Sequence, residues 1–342
     1  MSDAKIYING KFLNQQSTGV QAYALGMLDA MREQHISFEV LVPKSVPLSD
    51  RWPTKQIGVF SNPVLWEQLS LPLYLNKQKN ALLINFCNSA PLFCKHQIVT
   101  IHDLAFEQKQ QKWFSFWFKT WYRFLIPRIC KTSKFIFTVS DFSMQEIISC
   151  YNVKKDKIKI IPNGINKHIS PAVRIIKDDY ILLIGGNNPR KNPRFVINQL
   201  TEIEKLGLKL VIINSKDSVF KNNQIVIHPS IIYMDYVDTS SYYSLIKYSK
   251  ALVYSSFYEG FGIPILESLC LKTPVICSDL AVFKESFGTL PLYFKSNDSL
   301  SFIKALEKSS SHIISDTDVE NLKRKYSFDE SVSLILKTLK EL

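Results

Sequence analysis

Three absences narrow what this chain of 342 residues can be. No apolar run reaches the roughly 18 to 20 residues that a membrane-spanning helix needs, so no transmembrane anchor is expected. The start, MSDAKIYING, has neither a basic segment followed by an apolar stretch nor a small-residue cleavage site. That argues against a secretory signal and for a cytoplasmic location. The six cysteines, Cys87, Cys94, Cys130, Cys150, Cys270 and Cys277, form no C-x-x-C pair, so they read as buried free thiols rather than zinc or redox groups. A P-loop, an internal repeat and a low-complexity tract are also missing, and IGGNNP lacks the third glycine of a dinucleotide fingerprint. The D-x-D sequence Asp316-Thr317-Asp318 stands in SDTDVENLK, where it reads as a cap at a helix start, and no metal site is expected.

What is present is an ordinary globular composition, 46% apolar and 21% charged, in a chain long enough for two domains of roughly 150 residues each. The net charge of +12 favours anionic partners. Because the lysines are spread along the chain rather than gathered in a stripe, nucleic acid is not expected among them. Short β-branched runs apolar on both faces recur: KIYING (5–10), FEVLVP (38–43), ALLINF (81–86), QIVTIH (97–102) and KFIFTVS (134–140), then YILLIGG (180–186), LKLVIIN (208–214), ALVYSS (251–256) and PVICSD (274–279). Such runs belong to parallel sheets covered by helices, here read at 193–206, 240–248 and 264–271. The fold class is therefore α/β, with two doubly wound domains. The divisions are residues 1–165, a linker at 166–178 around Pro171, a second domain at 179–325, and a helix at 326–342 capped by Ser327.

Ligands of open α/β sheets bind beyond the carboxyl ends of the strands, so the residues that follow each run carry the functional reading. After ALVYSS comes YEGFGIPILES. Pro264 suits the first turn of a helix, while Gly260 and Gly262 let the backbone approach a ligand or take a positive φ. A strand, a glycine-bearing loop and a helix N-terminus make a site for phosphate. Glu259 before the helix and Glu267 within it then bracket an extended ligand and accept hydrogen bonds from its hydroxyls; the alternative is that both are solvated or capping groups. After YILLI, Gly185 and Gly186 lead to Arg190 and Lys191, two cations placed to neutralise a diphosphate without a metal.

In order along the chain stand TGVQAYA (18–24), WEQLSLP (66–72), VTIHDLAF (99–106), FTVSDFS (137–143), IIPNGI (160–165), IGGNNPRKN (184–192), the E-x7-E element with EGFGIPILES, TPVICSD (273–279) and LYFKSND (292–298). In that order they resemble the retaining glycosyltransferases of the GT-B fold, in the large bacterial family 4 of sugar-nucleotide-dependent transferases. The likeness implies two Rossmann-like domains facing across a cleft, the donor held by the C-terminal one and the acceptor by the N-terminal one. It implies that Arg190 and Lys191 hold the donor diphosphate, that Glu259 meets the transferring sugar and Glu267 the ribose, and that the backbone around Gly186, Gly260, Phe261, Gly262 and Ile263 completes the donor site. Gly19 lies where family members bring donor phosphate or acceptor close, but Ser17-Thr18-Gly19 stands in place of a glycine pair. The likeness also implies that His102 and Asp103 fall beside the donor sugar and acceptor; read alone, a histidine at a strand end is more often a structural hydrogen-bonding group. Ser255 replaces a proline usual in the family, a change expected to be tolerated.

The activity implied is transfer of a sugar from a nucleotide-diphosphate sugar to an acceptor hydroxyl with retention, without metal or cofactor, in the synthesis of O-antigen, capsule or related surface polysaccharide. Rival readings on the same scaffold are a sugar-nucleotide epimerase, a phosphorylase, for which no pyridoxal lysine site or second phosphate pocket is found, and a non-catalytic sugar-nucleotide-binding module. Residues 108–134 mix Lys and Arg with Trp113, Phe114, Phe116, Trp117, Phe118, Trp121, Tyr122 and Phe124. Their C-terminal half is expected in the core. The WFSFWF end suits peripheral contact with the inner face of a membrane or with a lipid-linked glycan acceptor.

Overall fold

The computed structural model describes residues 5–14, 18–108, 113–167, 169, 171, 173–186, 188–213, 226–235 and 237–342. Ser17 of the loop before Gly19 and residues 109–112 ahead of the aromatic stretch lie outside the described residues. The chain forms two compact units: Met1–Gly164 with Tyr326–Leu342, and Ile165–Lys325.

The first unit holds a seven-stranded sheet made of β1 (Lys5–Asn9), β2 (Phe38–Val42), β3 (Thr54–Gln56), β4 (Ala81–Asn85), β5 (Gln97–Thr100), β6 (Phe135–Thr138) and β7 (Ile158–Ile160). Every pairing is parallel, in the order β3-β2-β1-β4-β5-β6-β7. Parallel strands need helical crossovers, which cover both faces and explain why Tyr7, Val40, Leu83, Ile98, Val99 and Phe137 are fully buried. One core cluster gathers Leu125, Ile126, Ile129 and Cys130 from the helix Phe116–Thr132 against Val99 and Ile136. A second packs Trp66 and Leu71 against Tyr7, Leu41 and Leu83. The helix Phe328–Leu339 belongs to this unit: Phe328 stacks edge-on to Tyr23 and lies where a Cβ on Gly26 or Gly164 would stand, and Ser331 donates to the Pro162 carbonyl at 2.8 Å.

The second unit holds β8 (Tyr180–Ile184), β9 (Lys209–Ile213), β10 (Ile231–Met234), β11 (Ala251–Tyr254), β12 (Val275–Ser278) and β13 (Leu292–Phe294), again all parallel, in the order β10-β9-β8-β11-β12-β13. Its core stacks Phe195, Phe294 and Phe302 beside Leu183, Ile212, Val253 and Ile276. The stretch expected as one helix at 193–206 is two, Pro193–Ile197 and Leu200–Lys205. The cysteine expectation also needs correcting, because Cys150 is exposed and Cys87 half-buried while the other four are buried. Cys150 lies near the solvent end of Asp141–Tyr151, whose inward positions are taken by Met144 and Ile147.

In both sheets the chain builds outward to one side and then the other. The switch falls between β1 and β4 in the first sheet and between β8 and β11 in the second. Connections diverge there and leave room above the carboxyl ends of the central strands.

Candidate donor and acceptor sites

In the second unit, Arg190, Lys191, Glu259 and Glu267 all stand at the β8/β11 switch point. After β8, Gly185 takes φ +83°, and a Cβ there would lie 2.5 Å from Lys191 Cδ, so glycine is required both by the backbone and by the passage of the lysine stem. The turn Pro189–Lys191 follows, with Asn188 accepting from the Arg190 amide at 3.0 Å. From it Arg190 Nη1 reaches Glu259 Oε2 at 3.0 Å and the Tyr258 carbonyl at 3.1 Å. Ser256 Oγ donates to the other oxygen of Glu259 at 2.9 Å. Glu259 is thus a buried carboxylate with both oxygens held. The Arg190 carbonyl in turn accepts from the Phe257 amide at 2.9 Å, so the two loops are laced together.

Among the described residues Lys191 pairs with no carboxylate at bonding distance. Its Nζ donates to the Tyr254 hydroxyl at 2.9 Å and lies 4.5 Å from the centroid of that ring. Burial lowers the pKa of this ammonium, and the Glu259 charge opposes the shift. Burial, with the Glu259 charge second, drives the Tyr254 hydroxyl far above its ordinary value, so it stays a neutral acceptor for the lysine. Ser255 uses its hydroxyl to donate to the Lys191 carbonyl at 2.7 Å and the Asn192 carbonyl at 3.2 Å, a tie that a proline could not make.

The helix Ile263–Cys270 opens behind Gly262, which takes φ +113°; Gly260 is not among the glycines with positive φ, so the expected freedom is used at one of the two positions. Pro264 brings no amide proton to the first turn, and the Ile265 amide donates to the Gly262 carbonyl at 3.0 Å. Glu267 follows one turn in, its Oε2 accepting from Tyr242 at 2.7 Å and its Oε1 from Tyr243 at 3.2 Å. Burial pushes its pKa up to about 7, against the two tyrosine hydroxyls and Lys191, which favour the carboxylate. Asp316 and Asp318 lie elsewhere: Asp318 forms a reciprocal cap with Ser315, and Asp316 pairs with Lys272. Among the described residues no three His, Cys, Asp or Glu side chains group as metal ligands.

In the first unit, His102 follows β5 and is buried. Its Nε2 lies 2.8 Å from the Phe86 carbonyl, which can only accept, so Nε2 carries the proton and Nδ1 is left as an acceptor. Burial lowers the pKa, so the ring is neutral near pH 7. Tyr23 packs edge-on at 4.8 Å between centroids; it stands on Gly19–Glu33, so Gly19 opens the helix that walls the histidine. Asp103 Oδ1 accepts from the Ala105 amide at 3.0 Å.

The sequence reading passed over a second group, at the β1/β4 switch point. Trp66–Ser70 is a π-helical turn that brings consecutive residues, Trp66 and Glu67, inward. Glu67, 1% exposed, accepts from Asn9 Nδ2 at 2.9 Å, Lys11 Nζ at 2.7 Å and Ser89 Oγ at 2.8 Å. Asn9 also donates to Asn85 Oδ1 at 2.9 Å. The segment Phe86–Ser89 links this network to the histidine: Ser89 binds Glu67, Asn88 Oδ1 accepts from the His102 amide at 2.7 Å, and Phe86 holds the ring. WEQLSLP carried the signal, a Glu inside an otherwise apolar helical run. Tyr242, Tyr243 and Tyr254 were also missed, since tyrosines in apolar runs read as core.

Comparison with known proteins accords with this layout. Residues 17–168 match the Glycosyltransferase Family 4 profile and residues 167–319 that of Glycosyl transferases group 1. The O-antigen chain mannosyltransferase RfbU of Salmonella typhimurium is 25% identical over 354 aligned positions, covering 96% of this chain and 97% of that one. O-antigen chain mannosyltransferase B of Escherichia coli is 33% identical over 188 positions, 49% of each chain. Among solved structures, Anabaena HepE in complex with UDP and glucose superposes with a TM-score of 0.73 at 12% identity, over 99% of this chain and 100% of that one. WaaG, a glycosyltransferase involved in lipopolysaccharide biosynthesis, gives 0.68 at 14%, over 97% and 99%. With the two profiles abutting at residues 167–168 and a parallel Rossmann-like sheet in each unit, the chain belongs to the family 4-type glycosyltransferases of the GT-B fold.

Proposed function

We propose that this glycosyltransferase moves a hexosyl group, mannose in the first instance, from a nucleotide-diphosphate sugar to a glycan hydroxyl with retention, in the cytoplasm and without a metal, during surface polysaccharide synthesis. The observation that carries the reading is the joining of Arg190 and Lys191 to Glu259 and Tyr254 at one switch point. Two cations held by preorganised partners stabilise charge that develops on a departing diphosphate. Glu259, fixed by Arg190 and Ser256, accepts from hydroxyls of the transferring sugar, and Glu267 from the ribose. The acceptor oxygen forms its bond to the anomeric carbon on the face that the diphosphate leaves, and its proton passes to a phosphate oxygen of the leaving group. His102, neutral with Nδ1 as acceptor, orients a hydroxyl rather than delivering a proton. The mannosyltransferase relatives support the choice of sugar and of polysaccharide.

The test is a thermal-shift screen against GDP, UDP, dTDP and CDP and their sugars with and without chelator, followed by NMR of the product's anomeric configuration. One diphosphate stabilising the protein equally in both conditions, and a product with the donor's configuration, are expected. Lys191→Met should lower turnover by about a hundred-fold or more, as loss of a transition-state donor does elsewhere, and weaken diphosphate binding. Asp318→Ala should leave turnover unchanged. A Lys191→Met enzyme with normal turnover, or an inverted product, would overturn the mechanism.

A further inference from the structure

At the β1/β4 switch point a lysine and a glutamate are taken out of water together, where a well-packed apolar pair of similar volume often serves stability as well or better. Lys11 stands on the turn Gly10–Asn14 that follows β1; its side chain is 14% exposed and that of Glu67 1%. Both oxygens of the carboxylate are in use. Oε1 accepts from Asn9 and Ser89, and Oε2 from Lys11 and, at 3.4 Å, from Gln68. Ser89 closes the group, donating to Glu67 and accepting from Lys11 Nζ at 2.9 Å. A carboxylate so occupied holds protein groups in place and is not free to take a proton from a reacting hydroxyl.

What these groups hold is the loop from Phe86 to Leu92, which has no helix or strand of its own. Ser89 ties it to Glu67 and Lys11. Farther along, Gln68 donates to the Ala90 carbonyl and accepts from the Leu92 amide, both at 3.0 Å, and Gln97 donates to the Pro91 carbonyl at 2.8 Å. The near end of the loop grips His102, whose Nε2 donates to the Phe86 carbonyl and whose amide donates to Asn88. Between the two ends the Ser89 amide bonds back to the Cys87 carbonyl, so a shift at Ser89 is felt at Phe86 and Asn88. The hydrogen bond that one ring nitrogen makes decides which nitrogen carries the proton, so the place of the Phe86 carbonyl decides the state of the ring. We infer that Glu67, with Lys11 and Ser89, is a positioning residue for His102: it sets the loop that fixes the tautomer and direction of the imidazole and keeps Nδ1 as the acceptor. The inference rests on the role proposed above for His102 and assigns nothing to the donor groups of the second unit.

The experiment is NMR of the full chain carrying isotope-labelled histidine, which reads the tautomer of each imidazole; His102→Gln identifies its signal by deleting it. The parent should show one fixed tautomer protonated at Nε2. Ser89→Ala, which removes a hydroxyl and little volume, should show the two ring nitrogens drawn together by exchange between tautomers, and so should Lys11→Met with Glu67→Leu. Turnover is followed with the nucleotide sugar selected by the thermal-shift screen and methyl α-mannoside as the acceptor probe. It should fall by roughly ten-fold or more in these variants, because a reacting group displaced by about 1 Å costs that much, while the donor KM stays unchanged. Lys11→Arg keeps the charge and the donors and should retain the parent signal and rate. A His102 signal in Ser89→Ala that matches the parent overturns the inference whatever the rate does, since the network is then structural alone. Normal turnover of His102→Gln overturns the role proposed for the histidine, and the inference falls with it.

Discussion

Glu267, the residue proposed to meet the ribose, is an acid whose protonation can be followed. Burial raises its pKa to about 7, above the ordinary carboxylate value of 4.5. For an acid raised on folding, the contribution to stability is complete below about pH 4.5 and is lost as pH rises through about 7. On the proposed reading, ribose hydroxyls donate to Glu267 and favour its ionised form, so nucleoside diphosphate affinity should rise between pH 6 and pH 8 and then level off, as calorimetry would show. Tyr242→Phe removes a hydroxyl that favours the carboxylate and should move that midpoint upward; an unmoved midpoint would exclude Glu267 as the titrating group. Glu67 offers a different test. Glu67→Ala strands the mostly buried Lys11 ammonium and should cost about 3 to 5 kcal/mol in denaturant unfolding, whereas Lys11→Met with Glu67→Leu should recover much of that, the signature of a network that does not serve stability. Arg190, Lys191, Glu259 and Glu267 could be picked out in the sequence because glycines and prolines mark strand ends. Glu67, Lys11 and the three tyrosines could not, because their partners come from distant segments.

At the scale of elements, the central strands were legible and the edges were not. The four strands absent from the sequence reading, β3, β7, β10 and β13, are the two edges of each sheet. An edge strand is short and half open to solvent, so it need not carry the continuous apolar run that reveals a buried parallel strand: TKQ and IKI show none, while IIYM and LYF are apolar but only four and three residues long. The loop before Ile263–Cys270 makes the opposite case, where local chemistry specified geometry. Gly262→Ala places a Cβ at φ +113° and 3.0 Å from the Phe283 ring, and should cost on the order of 1 to 3 kcal/mol while weakening diphosphate binding. Gly207→Ala, at φ +70° with open space around it, is the matched control and should lower the melting temperature without changing that affinity. Equal affinities for the two variants would mean that the Gly262 turn does not shape the site.

For the molecule as a whole, the connectivity matters most: the chain leaves the first unit at Gly164 and comes back to it at Tyr326, so the second unit is an insertion within the first. Residues 165–325 expressed alone should melt cooperatively. Residues 1–164 alone should not, having lost Phe328 from against Tyr23, Gly26 and Gly164 together with the buried Val332 and Ile335, and a synthetic peptide of residues 326–342 should restore a cooperative transition by circular dichroism. The same helix sets an order in time. At synthesis rates of roughly 5 to 20 residues per second, the sheet made first waits about 10 to 35 s for the helix that completes it, while the sheet made second already has its whole sequence. The later half of this enzyme is therefore the first able to finish folding, and the exposed Phe116 and Trp117 of the earlier half spend that interval on an unfinished scaffold, the stage of the protein's life most in need of a chaperone.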